Sequence, residues 1–153
     1  MATLGFERGT AFLSQYVRFA REYWRVVELA RKKGALDDAL VRQRFADAYI
    51  GLEIMRFSGA RTVTAFLKGG APGPEASVGK LFWSQWHQRL GVLEMDVSGM
   101  SSLVVGDGYA LDPIQEVFLF SRAHTIYAGA SEIQRNIVGE RVLGLPREPE
   151  GAR

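Results

Sequence analysis

The chain has 153 residues, of which 47% are hydrophobic and 24% are charged. This composition is ordinary for a soluble globular protein and excludes disorder as a description of the whole chain, and the length suffices for one domain with a sizeable core. The net charge is only +2 and basic residues are interleaved with acids, so we do not expect nucleic-acid binding. The absence of cysteine excludes disulfides, thiolate zinc sites and a cysteine nucleophile.

The sequence shows no targeting or membrane segment. No basic segment followed by an apolar run opens it, and no stretch of about 18 apolar residues occurs. We therefore expect neither a signal peptide nor a membrane span, and we predict a soluble, cytoplasmic protein.

The first half of the chain predicts two long helices. From about residue 5 to 33, apolar residues at a three-and-four spacing indicate a helix that ends at Gly34. A second helix, at about 38–68, is expected to be capped by Asp37 or Asp38. The apolar positions are Leu13, Val17, Ala20, Trp24, Val27 and Ala30 in the first helix, and Val41, Phe45, Ala48, Leu52, Met55, Val63 and Phe66 in the buried stripe of the second.

The second half predicts three more helices, at about 75–100, 113–127 and 131–143. Glycine and proline at residues 69–74 separate the second helix from the third, and residues 98–111 are expected to form a loop with a turn at 106–108. Asp112 and Pro113 start the fourth helix, and Ser131 with Gln134 is predicted to be a capping box that starts the fifth. The predicted apolar faces are Val78, Phe82, Trp86, Leu90, Leu93 and Val97 in the third helix, and Ile133, Ile137, Val138 and Val142 in the fifth.

The order of these elements predicts the fold class. No segment reads as an alternating strand, and no repeat at a fixed period is visible. We predict an all-α fold, an up-and-down four-helix bundle with a short additional C-terminal helix, as a single domain over residues 1–153. His87 and His124, on different helices, are expected to be ordinary hydrogen-bonded histidines rather than metal ligands.

Two stretches of the chain resemble a known family. Residues 125–149 closely resemble the C-terminal signature of the acyl-CoA dehydrogenases, flavoenzymes that commonly read Ile-Tyr-Glu-Gly-Thr or Ile-Tyr-Gly-Gly-Thr before Ser-Glu-Ile-Gln-Arg. The matching positions are Ile126–Tyr127, Gly129, Ser131–Arg135 and Glu140–Arg147. Residues 4–9, LGFERG, resemble the start of the first bundle helix in this family. The chain thus resembles the last third of such an enzyme, without its N-terminal helical and middle β-domains.

The resemblance implies a function and partners. It implies the C-terminal flavin- and substrate-binding domain of an FAD-dependent oxidoreductase of fatty acid metabolism, which oxidises an acyl-CoA thioester to a trans-2-enoyl-CoA. Electron-transfer flavoprotein is the implied electron acceptor, and a homo-oligomer, a dimer or tetramer, is the implied assembly. We expect the chain alone to be inactive and to self-associate. The alternative is a non-catalytic oligomerisation module or a degenerate partner subunit.

The family reaction needs a carboxylate that removes the α-proton of the thioester. Many members place it at the position held here by Ala128, which cannot take a proton, whereas a second group places it at the position of Glu7. The resemblance therefore implies that Glu7 is the catalytic base. It also implies that Arg8, Tyr127 and Gly129 bind the substrate.

The implied cofactor contacts depart from the family pattern. Ala130 and Glu132 match positions that contact FAD, although Ala130 lacks the usual hydroxyl and would contact it through its backbone. The family's Arg-x-x-Phe-Gly motif, which meets the FAD of a neighbouring subunit, has Arg31 as its nearest substitute, and the phenylalanine is missing. The family's Gln-x-x-Gly-Gly loop corresponds to residues 96–100, where the glutamine is missing and Asp96 adds a negative charge.

Overall fold

The computed structural model describes residues 2–70, 73 and 76–147, with side chains from residue 15 onward in those ranges. These ranges contain α1 (Ala2–Lys32), α2 (Ala39–Leu67), α3 (Ala76–Ser98), α4 (Pro113–Ala123) and α5 (Ser131–Arg141), and no β-strand. The all-α prediction is confirmed. Within the described residues, no helix has the length and apolar character that a membrane span requires.

Three predicted helix boundaries are confirmed by their local chemistry. Gly34 follows α1 with a left-handed backbone (φ 68°), which favours glycine. Asp38 caps α2 by accepting from the backbone N–H groups of Leu40 and Val41. Asp112 caps α4 in a full capping box with Gln115, and a proline occupies the first turn.

The predicted loop between α3 and α4 contains two short 3₁₀ turns, Gly99–Leu103 and Asp107–Tyr109. The second turn confirms the predicted reversal at residues 106–108, where Gly108 has φ 65°. The Gln115 side-chain amide donates to the carbonyls of Ser102 (2.8 Å) and Val104 (2.9 Å). This link fixes the loop against the first turn of α4.

Helix α3 is the centre of the fold, because it packs against each of the other four α-helices. On it, Trp86 is 2% exposed and donates its indole N–H to the carbonyl of Ala48 on α2 (2.9 Å). Gly51 lies against the same indole, and a side chain there would overlap it. The core consists of Phe19, Tyr23, Val26, Val27, Ala30, Phe45, Ala48, Leu52, Met55, Trp83, Trp86, Leu90, Leu93 and Val97.

The predicted apolar face of α1 is wrong at two positions. Val17 and Trp24 are 48% and 49% exposed, whereas Phe19, Tyr23 and Val26 are buried. The helix carries apolar residues on two faces, and only one of these faces packs on α2 and α3. Periodicity finds both faces but does not tell which one is covered.

Other apolar positions that the sequence predicted to be buried are exposed in the structure. Phe66 on α2 and Val78 on α3 are each 48% exposed, and Ile133 on α5 and Val142 at its end are 54% and 43% exposed. Helix α5 buries the polar residues Ser131 and Gln134 instead of an apolar stripe.

The predicted end of the fourth helix is wrong. The fourth helix ends at Ala123, four residues before the predicted end, because the chain turns there to reach α5.

A buried acid lies among the core residues of α3. Glu94 is fully buried, and its Oε1 accepts from Arg25 Nη2 on α1 at 3.3 Å, while its Oε2 is buried without a partner. Burial raises the pKa of Glu94 to about 8, against the opposing influence of Arg25. Between about pH 4.5 and pH 8, Glu94 therefore keeps a proton in the folded protein that it releases in the unfolded chain.

This proton makes stability depend on pH. The ordinary pKa of 4.5 applies in the unfolded chain, so the contribution of Glu94 is fully present below about pH 4.5 and is lost as the pH rises to about 8. We expect Glu94→Gln to remove this loss and to exceed the parent in stability at pH 8 by on the order of 3 kcal/mol. Urea unfolding at pH 5 and pH 8 measures it. Asp96→Asn, which removes an exposed acid from the same helix, is the control, and an equal gain there contradicts the assignment.

The contact between α2 and α3 gives a second prediction. In Gly51→Ala, the new methyl group displaces the Trp86 indole from its bond to Ala48, at a cost of roughly 1–3 kcal/mol. The matched control is Gly139→Ala on α5, where the nearest atom, Leu145 Cδ1, lies at an ordinary 3.7 Å. We expect the control to gain about 0.5–1 kcal/mol from higher helix propensity. Thermal unfolding measures both, and equal signs contradict the packing described.

Candidate functional site

The link between α4 and α5, residues 124–130, is here called the corner. The backbone N–H groups of Ile126 and Tyr127 both donate to the carbonyl of Ala123, at 2.9 and 3.1 Å. The N–H of Ser131 donates back to the carbonyl of Thr125 at 3.0 Å. These bonds turn the chain tightly between the two helices.

Two successive residues of the corner have left-handed backbones. Ala128 has φ 53° and Gly129 has φ 94°. The Gln134 side-chain amide donates to the carbonyl of Ala128 at 3.3 Å, and a Cβ on Gly129 would collide with that amide. Glycine is therefore required at residue 129 for its conformation and for the space it leaves.

The predicted capping box at the start of α5 is wrong. The N-cap is Ala130, which offers no side-chain acceptor, and Ser131 is already the first helical residue. Gln134 does not reach back to the cap, because its amide is used on the corner carbonyls. The N–H of Ser131 is used by the Thr125 carbonyl, but the other first-turn N–H groups of α5 have no side-chain cap, and their partial positive charge is available to an anion or to water.

Tyr127 lies on the open side of the corner and is 43% exposed. Its ring is edge-on to the ring of His124, with centroids 5.5 Å apart. The Lys80 ammonium on α3 lies 5.4 Å from the centre of the Tyr127 ring and donates to the carbonyl of His124. Burial raises the pKa of Tyr127 and lowers the pKa of Lys80. The tyrosine is therefore a neutral hydroxyl, available as donor or acceptor.

The structure separates the predicted cofactor residues. Glu132 is exposed in the first turn of α5, where it pairs with Arg135 at 3.5 Å. Arg31 pairs with Glu28 at 2.5 Å at the C-terminal end of α1. That end of α1 is joined to the end of α3 through Lys33 Nζ, which donates to the Ser98 carbonyl.

The corner instead adjoins Lys80, near the start of α3. Lys80 and Ser98 are about 27 Å apart along the helix at 1.5 Å per residue. Arg31 and the corner are thus not brought together within one chain. Asp96 is paired with Arg44 at 2.6 Å, so its charge is offset.

The predicted base Glu7 and its neighbour Arg8 belong to α1. Their side chains lie outside the described residues. The roles assigned to these two residues therefore stay predictions.

The structure brings together three residues whose association the sequence did not indicate. His87 Nε2 lies 2.6 Å from Glu22 Oε2, and His87 Nδ1 lies 2.9 Å from His124 Nδ1. The His87 and His124 rings are stacked, and His124 is fully buried with no partner for Nε2. Burial, followed by the charge of His87, lowers the pKa of His124 to about 3. These three residues are hydrogen-bonded to one another, and no group of three His, Cys, Asp or Glu residues that could hold a metal ion occurs among the described residues.

Comparison with known proteins identifies the family. A family model described as "Acyl-CoA dehydrogenase, C-terminal domain" matches residues 1–143. The chain therefore belongs to the acyl-CoA dehydrogenase family, and the resemblance noted in its sequence is confirmed.

Two relatives share nearly half of their aligned residues with it. Both are named acyl-CoA dehydrogenase IpdE1. One, from Mycolicibacterium smegmatis, is 48% identical over 151 residues, which cover 99% of this chain and 37% of the relative. The other, from Mycobacterium tuberculosis, is 49% identical over 154 residues, with 99% and 38% covered. The chain thus spans less than two fifths of the length of these relatives.

Solved structures share the fold. The Tcur3481-Tcur3483 steroid ACAD superposes with a TM-score of 0.81 at 24% identity, over 95% of this chain and 38% of that one. The ChsE4-ChsE5 complex from Mycobacterium tuberculosis gives 0.64 at 19% identity, over 80% and 36%. These likenesses support the helical architecture.

The corner gives a prediction with its own control. Gly129→Ala forces a side chain into a left-handed backbone, which costs about 1–2 kcal/mol, and also displaces Gln134. The neighbouring change Ala128→Gly relieves the same strain, so we expect it to be neutral or to gain up to about 1 kcal/mol. Urea unfolding of both variants measures the difference. A destabilised Ala128→Gly chain, with Gly129→Ala unaffected, contradicts the corner geometry.

Proposed function

We propose that this chain is the flavin- and substrate-binding C-terminal domain of an FAD-dependent acyl-CoA dehydrogenase. The observation that carries the proposal is the corner, where small residues and a left-handed backbone at Ala128 and Gly129 allow close approach to the chain. An uncapped helix start follows it directly, at Ala130. Such an arrangement suits a planar or anionic ligand held through backbone groups, in a chain that belongs to this family.

The residues of the corner fit the cofactor. Ala130 has no hydroxyl, and its lack of a side-chain cap leaves backbone N–H groups for a ligand. Arg31 lies too far along the bundle to share the site of its own chain, and it is assigned to the cofactor of a neighbouring subunit. The chemistry that bound FAD would supply is an acceptor for the hydride that leaves the β-carbon of the acyl group.

The chain's own residues supply the remaining chemistry. Glu7 removes the α-proton of the thioester, and Arg8 orients the base or the thioester carbonyl. Tyr127 contributes its neutral hydroxyl to the open side of the corner, and Gly129 lets the substrate approach the backbone. Ala128 contributes no acid, which is why the base is assigned to α1.

The acyl group that the site accepts is proposed to be bulky. Ala128, Gly129 and Ala130 leave the corner without a side chain larger than a methyl group. One solved structure with this fold is named a steroid ACAD, and its name supports a ring-bearing acyl group here. Comparing kcat/KM for a polycyclic and a straight-chain acyl-CoA in the assembled enzyme tests it, and a preference for the straight chain contradicts it.

The domain is proposed to work in an assembly. Ile50, Ile54 and Phe57 on α2 and Phe120 on α4 are each exposed in the described part of the chain. On α2, Ile50, Ile54 and Phe57 recur at helical spacing and so share one face, and an exposed apolar face suits a contact with another domain or subunit. We propose that copies of the chain associate, that electron-transfer flavoprotein reoxidises the assembled enzyme, and that the chain alone does not turn over acyl-CoA.

The base gives the decisive test. In the assembled enzyme, with the further domains that the relatives carry, we expect Glu7→Gln to keep acyl-CoA binding. Flavin reduction should slow by a factor on the order of 10² to 10⁴, because the positioned base is lost. Stopped-flow absorbance measures the reduction and equilibrium titration measures the binding. Glu28→Gln, which removes an exposed acid from the same helix, is the control.

The second variant tests the role of the corner. Ala128→Glu in the Glu7→Gln background is expected to restore part of the rate, because family members place the base at either position. If Glu7→Gln reduces flavin at the parent rate, the chain is instead the degenerate partner subunit or oligomerisation module. A yellow preparation with flavin absorbance in the assembled enzyme supports the catalytic domain over these alternatives.

A further inference from the structure

Glu22, His87 and His124, here called the Glu-His-His cluster, join α1, α3 and the corner. Glu22 Oε2 and His87 Nε2 are 2.6 Å apart, and the two histidine Nδ1 atoms are 2.9 Å apart. Both distances are those of hydrogen bonds. The other oxygen of Glu22 lies 3.7 Å from Arg18 Nε, so each carboxylate oxygen has its own neighbour.

The chemistry of the three groups fixes where the protons lie. An ionised carboxylate can only accept, so His87 Nε2 carries a hydrogen and donates it to Glu22. With this one hydrogen, the His87 ring has a lone pair on Nδ1, to which His124 Nδ1 donates. The remaining nitrogen, His124 Nε2, is left as a buried acceptor with no partner.

The two ends of the cluster face different places. Glu22 and His87 line an open groove of about 620 Å³ between α1 and α4. His124 is fully buried and packs edge-on against Trp83, Phe120 and Tyr127 at the corner. A path of hydrogen bonds therefore connects the groove with the buried side of the corner.

We propose that the Glu-His-His cluster is a proton relay between the groove and the buried side of the corner. A proton that arrives at His124 Nε2 releases the hydrogen on His124 Nδ1 to His87 Nδ1. His87 Nε2 then gives its hydrogen to Glu22, which releases it into the groove. One proton enters and one leaves. The hydrogen bond between the two histidines is kept with its direction reversed, and the bond from His87 to ionised Glu22 forms again when the cluster returns to its starting tautomers.

Charged groups on α1, α3 and α4 lie near the relay. Arg18 on α1 lies beside Glu22, and Lys80 on α3 donates to the His124 carbonyl. Glu116 on α4 lines the groove beside Glu22. Burial, and after it the nearby cations, oppose a lasting positive charge on His124, so a proton that reaches His124 is passed on rather than held.

The first test uses the chain alone and does not depend on its being a dehydrogenase. The sequence contains only two histidines, so a ¹⁵N-histidine-labelled sample shows only the His87 and His124 rings. We expect a ¹⁵N–¹⁵N coupling across the hydrogen bond between the two Nδ1 atoms, with neutral His124 carrying its hydrogen on Nδ1. Absence of the coupling, or a hydrogen on Nε2 of both neutral rings, overturns the proposal.

The second test separates a relay from a purely structural cluster. Glu22→Gln can still accept from His87 but cannot take up a proton. The His124 ring N–H should then exchange with water more slowly by a factor on the order of 10². Glu22→Asp, which keeps a carboxyl group, should restore exchange towards the parent rate, and Glu28→Gln should leave it unchanged. A structural role predicts faster exchange in Glu22→Gln through loosening, and exchange at or above the parent rate overturns the relay.

Discussion

Helix α3 packs against all four other α-helices, so several of its polar side chains, His87 and Glu94 among them, are buried in protein. A buried polar group without a partner is costly, so these side chains must find partners on the surrounding elements. Trp86 bonds to α2, His87 to α1 and to the corner, and Glu94 to α1. Because these partners lie on α1, α2 and the corner, the hydrogen bonds of the buried polar groups of α3 also fix where those three elements lie.

The sequence predicted those parts of the fold that depend on neighbours in the chain. Asp38, Asp112 and Gly34 act within a few residues of themselves, so their caps and turns could be read directly. Gln134 shows the limit of this reasoning. The same side chain can bond to a helix cap or to a preceding loop, and the tight turn at Gly129 decides for the loop.

Contacts between distant residues could not be predicted in this way. His87 is 65 residues from Glu22 and 37 from His124, and no local pattern connects them. The two apolar faces of α1 were equally visible in the sequence, and the arrangement of the other helices decided that Trp24 stays exposed. The candidate site residues were predicted from their resemblance to positions in family motifs. Such a resemblance can name Arg31 as a cofactor residue, but it does not show how far Arg31 lies from the corner.

The exposed apolar side chains also affect how the isolated domain responds to temperature. The heat-capacity increment of unfolding grows with the apolar surface that unfolding newly exposes. Phe57 and Phe120 are 61% and 60% exposed in the folded chain, so they add less to this increment than fully buried side chains do. The stability curve of the isolated domain is therefore flatter than that of a chain of this length that buries them. Covering these side chains in an assembly raises the heat-capacity increment. The free energy of unfolding of the assembled domain then falls more steeply with temperature on both sides of its maximum.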